Sequence, residues 1–297
     1  MLKLRSIAKI KNIITMALIS ILLIGGVTST LRDSTGSNTN DYVENETQNN
    51  NIAIDPSEHR GYQYLQKQDN AESLVFAYNK LAYGFESFQK RISVSTPFHL
   101  INSDEMLTVF YCYIFDNPQV YWVDLSSVAF GKIANKVVFI ETTYKLDKGD
   151  VEASQEEIKA IRDDIIKKTK GLSDKEKALF VHDYIIANTD PCFGYESEHA
   201  NTLYGALIEG RANCLGFSHA FTYLMRAAGV VCFGVYGEAN QEEHAWNIAL
   251  IDGKYRNVDV TWDAAEPFEY KYFSLSDQEI SKTHKKIQCA YDYPACE

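Results

Sequence analysis

Residues 211–229 read RANCLGFSHAFTYLMRAAG, and the reading of this stretch decides the fold class. Phe217, Phe221, Leu224, Met225 and Ala228 recur on one helical face, and Gly229 supplies a C-terminal stop. The spacing predicts a helix with one buried stripe. Cys214 stands ahead of that stripe, in the first turn, where unpaired backbone N–H groups and the positive end of the helix dipole favour a thiolate. A cysteine in the helix body would receive no such help. Packing, metal ligation, a disulfide and nucleophilic catalysis are the four readings open to Cys214.

Residues 243–263 read EHAWNIALIDGKYRNVDVTWD, in which Asp252-Gly253 between two alternating segments is a two-residue hairpin signal. That loop predicts Ile251 opposite Lys254, Trp246 opposite Asp259 and His244 opposite Thr261. His244 is then diagonal to both Asp259 and Asp263 on one sheet face, within reach of a carboxylate–imidazole hydrogen bond. Parity does not choose between the two acids. A thiol at a helix start and a His–Asp pair on a hairpin are the parts of a nucleophile activated by a base that a third group orients. Cysteine, histidine and aspartate are also metal-ligand types, but there is no CxxC or HExxH and the spacing lacks the compactness of a structural zinc site. No metal and no cofactor is expected. His182, His199, His219 and His284 stand isolated in the sequence and read as surface or capping residues.

Working outward, a helix is expected from about Ser154 to Lys170, closed by Gly171. Ser173 with Glu176 forms a capping box that opens DKEKALFVHDYIIAN, and a short helix is expected from Leu203 to Ile208. Earlier in the chain, Leu74, Tyr78, Leu81, Ala82 and Phe85 fall at helical spacing, and Asn102 with Glu105 caps a second helix. QVYWVDL (119–125) and KVVFIETTYKL (136–146) read as strands. At the N-terminus Lys3, Arg5, Lys9 and Lys11 precede the apolar run from Ile13 to Val27, the pattern of an export signal or, uncleaved, a membrane anchor. From Arg32 to about Ser57 almost nothing is apolar, so burial could not offset the entropy of ordering the chain there.

The expected organisation is therefore a signal or anchor at 1–30, a disordered polar linker at 31–60, an α+β region at 61–150 and a catalytic domain at 151–297. A chain of 297 residues, 45% of them hydrophobic, can bury one or two ordinary cores. Its net charge of −11 carries no basic run beyond the N-terminus, which excludes a nucleic-acid interface.

From Glu176 to Phe273 the chain resembles the bacterial transglutaminase-like superfamily with its papain-like Cys-His-Asp core. The resemblance lies in LYGALIEGRANCLGFSHAFTYLMRAAGV, HAWNIALIDGKYRNVDVTWD and the trailing YKYFSLSD, in that order, and DNPQVYWVDL is similar to the segment preceding this core in exported members. It implies an α+β fold in which a Cys-bearing helix packs on an antiparallel sheet bearing His and Asp. It also implies Cys214 as nucleophile, His244 as general base and Asp259 as orienting acid. The implied reaction is acyl transfer through a thioester on a protein or peptide amide, completed by an amine or by water, at the cell surface. A catalytically idle binding module on the same fold is the alternative.

Related papain-type sites place a glutamine shortly before the cysteine as oxyanion donor, and Leu207 to Asn213 contains none. The Cys214 N–H can supply one bond, with Tyr204 as the candidate side-chain partner. Trp246 and Trp262 flank the His–Asp pair and are expected to shield it from water, although core packing accounts for both equally well. Of the remaining cysteines, Cys112 and Cys232 lie in apolar runs and read as buried thiols, Cys289 and Cys296 could bridge across a Pro-containing loop, and Cys192 is left over.

Overall fold

The computed structural model describes residues 59–96, 98, 100–192, 197–265, 270–287 and 291–297. The expected export segment, nearly all of the expected linker and Cys289 lie outside the described residues. Among the described residues no helix is long and apolar enough to cross a membrane.

The chain enters through α1 (Arg60–Leu65) and α2 (Ala71–Glu86), whose buried face carries Leu74, Tyr78, Leu81, Ala82 and Phe85 as their spacing predicts. After β1 (Arg91–Ser93) comes α3 (Ser103–Asp116), which opens on the expected capping box. Asn102 Oδ1 accepts from the Asp104 and Glu105 N–H groups at 2.9 and 3.0 Å, and Glu105 Oε2 accepts from Asn102 N at 2.6 Å. β2 (Ala129–Ile133) and β3 (Lys136–Glu141) complete an antiparallel sheet in the order β1-β3-β2.

The strand expected at QVYWVDL does not form. Val120, Tyr121, Trp122 and Val123 are consecutively buried, and pairing is limited to a single bridge between Val123 and Tyr144. Local bonds replace the ladder: Asp124 Oδ1 accepts from Ser126 N at 3.1 Å and starts a 3₁₀ turn at Leu125–Ser127, while Trp122 Nε1 donates to the Phe85 carbonyl at 2.9 Å. The apolar run was core without being strand.

α4 (Lys148–Thr169) begins earlier than the expected Ser154, because Asp147 Oδ1 accepts the Asp150 N–H at 2.9 Å and serves as the cap. Past its end, Gly171 adopts φ +82°, a left-handed stop. α5 (Asp174–Asn188) has its Ser173–Glu176 capping box. β4 (Asp190–Pro191) leads through α6 (Leu203–Leu207) to β5 (Arg211–Ala212), which pairs with β4 in parallel and delivers the chain into α7 (Cys214–Ala227).

There follow β6 (Cys232–Ala239), β7 (Glu242–Ile251), β8 (Lys254–Val258), α8 (Val260–Ala265), α9 (Asp277–Ile280) and β9 (His284–Lys286). The sheet is antiparallel throughout, in the order β8-β7-β6-β9. Asp252 and Gly253 both have positive φ, +50° and +80°, the backbone of a type I′ hairpin, and Ile251 pairs with Lys254 as predicted. The second arm, however, stops at Val258: Thr261, Trp262 and Asp263 lie in a helix, not in the strand the alternation suggested. α7 lies against β6 and β7 with its stripe inward. One continuous core runs from α2 and α3 through α7 to the sheet.

The N-terminal elements are fastened by a buried carboxylate at the end of α3. Asp116 accepts from Gly61 N at 2.9 Å, Tyr62 N at 2.8 Å and the Tyr78 hydroxyl at 3.1 Å, while Arg226 of α7 donates to its carbonyl at 2.7 Å. Burial raises its pKa to about 6, against the lowering effect of the two backbone donors and the Arg226 charge. Asp116→Ala would leave two backbone N–H groups without their acceptor. The expected loss is about 3 kcal/mol of unfolding free energy, read from the denaturant midpoint at constant m-value; an unchanged midpoint would show that α1 is not held this way.

Candidate active site

Cys214 is the first residue of α7, half-buried, with its position fixed on both sides. Asn213 caps the helix through Oδ1, which accepts from Leu215 N at 3.0 Å and Gly216 N at 3.2 Å. Upstream, Cys192 N donates to the Ala212 carbonyl at 2.7 Å, and Asn213 N donates to that of Ala200 at 2.8 Å. The loop at Ala200 comes so close that a Cβ on Gly216 would stand 2.3 Å from the Ala200 oxygen, so this turn of α7 admits only glycine.

His244 reaches the thiol because α7 and β7 are bonded together one turn further along. Ser218 Oγ donates to the Trp246 carbonyl at 3.1 Å, and Asn247 Nδ2 donates to the Ser218 carbonyl at 3.0 Å and to Thr222 Oγ1 at 2.8 Å. Ser218 lies one helical turn beyond Cys214 and Trp246 one strand repeat beyond His244, so the same crossing sets Cys214 facing His244. His244 Nε2 is 2.7 Å from Asp259 Oδ2, and the ring also hydrogen-bonds Cys214, which leaves Nδ1 for the sulfur.

Asp259 is wholly buried and is also the residue that ends β8. Its Oδ1 accepts from Trp262 N at 3.1 Å, capping α8, and its own N–H donates to the Tyr272 carbonyl at 3.0 Å. This capping bond turns the chain out of the strand. The ambiguity between Asp259 and Asp263 thereby disappears: Asp263 is carried one helical turn away and pairs with His182 Nε2 at 3.1 Å, its other oxygen accepting from Tyr272 N at 2.9 Å.

Burial opposes a charge on His244, but the Asp259 carboxylate, by attraction and by its hydrogen bond, and then Cys214 outweigh it, and the pKa rises to about 10. The reciprocal forces act on Asp259: burial raises its pKa, while His244 and then His284 lower it further, well below the usual carboxylate range. The arrangement favours an imidazolium beside the sulfur.

Trp246 stacks on His244 with centroids 6.1 Å apart, and Trp262 leans on it at 5.7 Å, so both cover the His–Asp bond. Trp246 Nε1 is satisfied by Asn257 Oδ1 at 3.1 Å. Tyr204 does not join them. Its ring stacks on Tyr121 at 5.8 Å and meets His199 edge-on, and the charges its hydroxyl senses are Glu209, Asp150 and Glu157.

The four histidines read as isolated are not alike. His284 is buried with Nε2 3.0 Å from Asp259 Oδ2, the oxygen that His244 also uses. His182 is buried between Asp263 and Asp183. His219 is buried edge-on against Phe115, and burial, then Arg226, pushes its pKa down to about 3. His199 pairs with Glu209 at 2.6 Å. The contacts of His182 with Asp263, His219 with Phe115 and His284 with Asp259 span 81, 104 and 25 residues of chain, and no local pattern announces a contact that the tertiary fold creates. Among the described residues, His244, Asp259 and His284 bring ligand-type atoms within 4.8 Å of one another. Both imidazole N–H groups already point at one carboxylate oxygen, which is a hydrogen-bonded cluster rather than an open coordination sphere. Cys112 and Cys232 are buried as expected, burial pushing the Cys232 thiol up to about 12.

Residues 159–260 match the family model described as the transglutaminase-like superfamily. Among solved structures, a Cytophaga hutchinsonii protein provisionally named a cysteine protease shares 21% identity over 42% of this chain and 41% of its own, with a TM-score of 0.31. A TGase shares 18% over 46% and 44%, with a TM-score of 0.29, and a provisionally named protease of Parabacteroides distasonis shares 13% over 44% and 33%, at 0.25. The chain spans less than half the length of these structures, and at such scores they carry no argument about its chemistry. No protein of curated function matches it.

The two carboxylates can be separated by titration. In Asp259→Asn the His244 pKa, followed by NMR of the imidazole, should fall from about 10 to near or below 6.5. In Asp263→Asn it should stay, while unfolding stability drops through loss of the His182 pair. The raised pKa of His244 contributes stability that is full below about pH 6.5 and is lost as pH rises through about 10. A fall confined to Asp263→Asn would refute the assignment.

Proposed function

We propose, from the match of residues 159–260 to the transglutaminase-like superfamily model, that this chain is a cysteine-dependent acyl-transfer enzyme acting on protein or peptide amides. The observation that supports it most is the continuous chain of hydrogen bonds from the Cys214 thiol through His244 to a buried, anionic Asp259 at the mouth of a helix.

Cys214 Sγ attacks the carbonyl carbon of a glutamine side-chain amide or a peptide bond. The carbonyl oxygen takes up the electron pair, and the Cys214 N–H, which has no intrahelical partner at this position, donates to it. As the C–N bond breaks, the His244 imidazolium gives its proton to the departing ammonia or amine, leaving a thioester. His244 then removes a proton from water or from an incoming primary amine, whose attack displaces the sulfur and yields acid or new amide. Asp259 holds the ring with Nδ1 toward the sulfur throughout, and the indoles of Trp246 and Trp262 keep water off that bond. The apolar run from Ile13 to Val27, preceded by four cationic residues, further supports an exported enzyme, with the polar segment after it as a tether. N-terminal sequencing of the mature chain would test that: an uncut Met1 in a soluble cellular fraction would contradict it.

Full-length protein treated with iodoacetamide at near-neutral pH should be labelled at Cys214 far faster than at any other cysteine. A glutamine peptide together with a fluorescent primary amine should give labelled peptide, ammonia release, or peptide cleavage. Cys214→Ala should abolish turnover and keep the fold, and Asp259→Asn should lower it roughly ten-thousand-fold, as reversing the tautomer does in a serine triad. Undiminished turnover in Cys214→Ala would overturn the reading. Slow, unselective labelling of Cys214 would instead favour an idle binding module.

A further inference from the structure

Asp259 carries a second histidine that the acyl-transfer steps above do not use. His284 lies on β9, the strand at the far edge of the sheet, where it pairs with Ala239 of β6. Its side chain is wholly buried, and its Nε2 is 3.0 Å from Asp259 Oδ2, beside the His244 Nε2 at 2.7 Å on the same oxygen. The ring is enclosed by Trp262 at 4.6 Å, Trp246 at 5.0 Å, His244 at 5.5 Å and Tyr272 at 5.7 Å between centroids. Packing alone would be met by a phenylalanine, yet a polar ring has been placed with its nitrogen on the carboxylate.

The proton on that nitrogen follows from the other side of the ring. His284 Nδ1 is 2.8 Å from the Thr283 hydroxyl, whose only alternative acceptor among the described residues, the Ile280 carbonyl, is 3.4 Å away. With the hydroxyl donating to Nδ1, Nε2 bears the hydrogen; if Nδ1 were protonated as well, the hydroxyl oxygen would accept and Nε2 would still bear one. A carboxylate only accepts, so either state gives an N–H donated to Asp259. Asp259 then receives His244 and His284 on Oδ2 and the Trp262 N–H on Oδ1.

We propose that His284 is a positioning residue for the acyl-transfer site: its Nε2–H shares Asp259 Oδ2 with His244, aims that oxygen, and limits how strongly the carboxylate holds the His244 proton. This rests on the function proposed above. An N–H donor on a carboxylate makes it a weaker base, so the His284 bond weakens the hold of Asp259 on the imidazolium and eases proton transfer to a leaving amine. Loss of the donor, whether His284 is neutral or charged, therefore moves the His244 pKa upward. The titratable groups facing the His284 ring are Asp259, His244 and Tyr272, with Cys214 beyond His244 and Lys271 over the Tyr272 ring.

Two measurements on the full chain decide it. NMR of histidine-labelled parent protein reads the His284 tautomer directly: a protonated Nε2 is expected, and a bare Nε2 would overturn the proposal. The pH profile of Cys214 alkylation by iodoacetamide then reads the pair. His284→Phe keeps the ring and removes the donor, and should move the alkaline limb of the profile upward by about one pH unit. His284→Gln keeps an N–H within reach of Asp259 and should return the limb toward that of the parent. An unmoved limb in folded His284→Phe, or a shift that Gln does not reverse, overturns the proposal by leaving packing as the only role. Should His284→Phe not fold, His284→Leu, which also lacks the donor, is read in its place, with the same upward shift expected and an unmoved limb overturning the proposal. Sluggish Cys214 alkylation in the parent itself would sink the acyl-transfer reading, whereas rapid parent alkylation with an unmoved limb sinks only the role of His284.

Discussion

A carboxylate that no solvent reaches has to be met by donors, and the C-terminal half of this molecule is built around meeting Asp259. An isolated ion in a dry interior would cost more than a typical domain's whole stability. Three elements supply what is needed: β7 brings His244, β9 brings His284, and the first turn of α8 brings the Trp262 N–H. The capping bond also ends β8. Local structure and the site therefore have one cause, since the acid that orients the imidazole is the acid that turns strand into helix.

Asp116 shows how much the partners matter. It is as deeply buried as Asp259 and also accepts three bonds, from two backbone N–H groups and a tyrosine hydroxyl. Yet its pKa is raised to about 6 while that of Asp259 is lowered. At Asp116 the neutral donors, with the Arg226 charge bonded to the backbone carbonyl rather than to the carboxylate, offset burial only in part; at Asp259 the His244 imidazole bonds the carboxylate and adds its charge there, and the balance reverses. One carboxylate fastens α1 to α3, and the other is held ionised where an imidazolium is wanted. Asp263, four residues on, repeats the His–Asp motif with His182 but, among the described residues, meets no thiol, and it ties α8 to α5.

Cys214 owes its place to polar bonds at a helix–strand crossing. Ser218 and Asn247 hold α7 to β7 in a buried setting where each partner satisfies the other, so displacing either would leave a polar group unpaired. The close approach of Ala200 to Gly216 holds the other side of the same helix end. Cys214 is thus positioned by groups that never touch the sulfur.

Much of this was legible in the chain itself. The stripe Phe217, Phe221, Leu224, Met225 and Ala228 and the stop at Gly229 gave α7, the capping boxes at Asn102 and Ser173 gave α3 and α5, and Asp252-Gly253 gave the hairpin register that puts His244 diagonal to Asp259. These signals are local, acting over one turn or one strand repeat, and local physics is written in consecutive residues. What the tertiary structure decided has the opposite character. Alternation could not tell Asp259 from Asp263, because the choice rests on a capping bond that only forms once the strand has ended. QVYWVDL looked like a strand and became buried turn, because apolar content says that a segment is inside, not how it is paired. His284 is 25 residues from Asp259, and nothing near it in the sequence marks it as a partner. Its contact comes from the sheet order β8-β7-β6-β9, which carries a distant edge strand round to the buried Asp259 carboxylate.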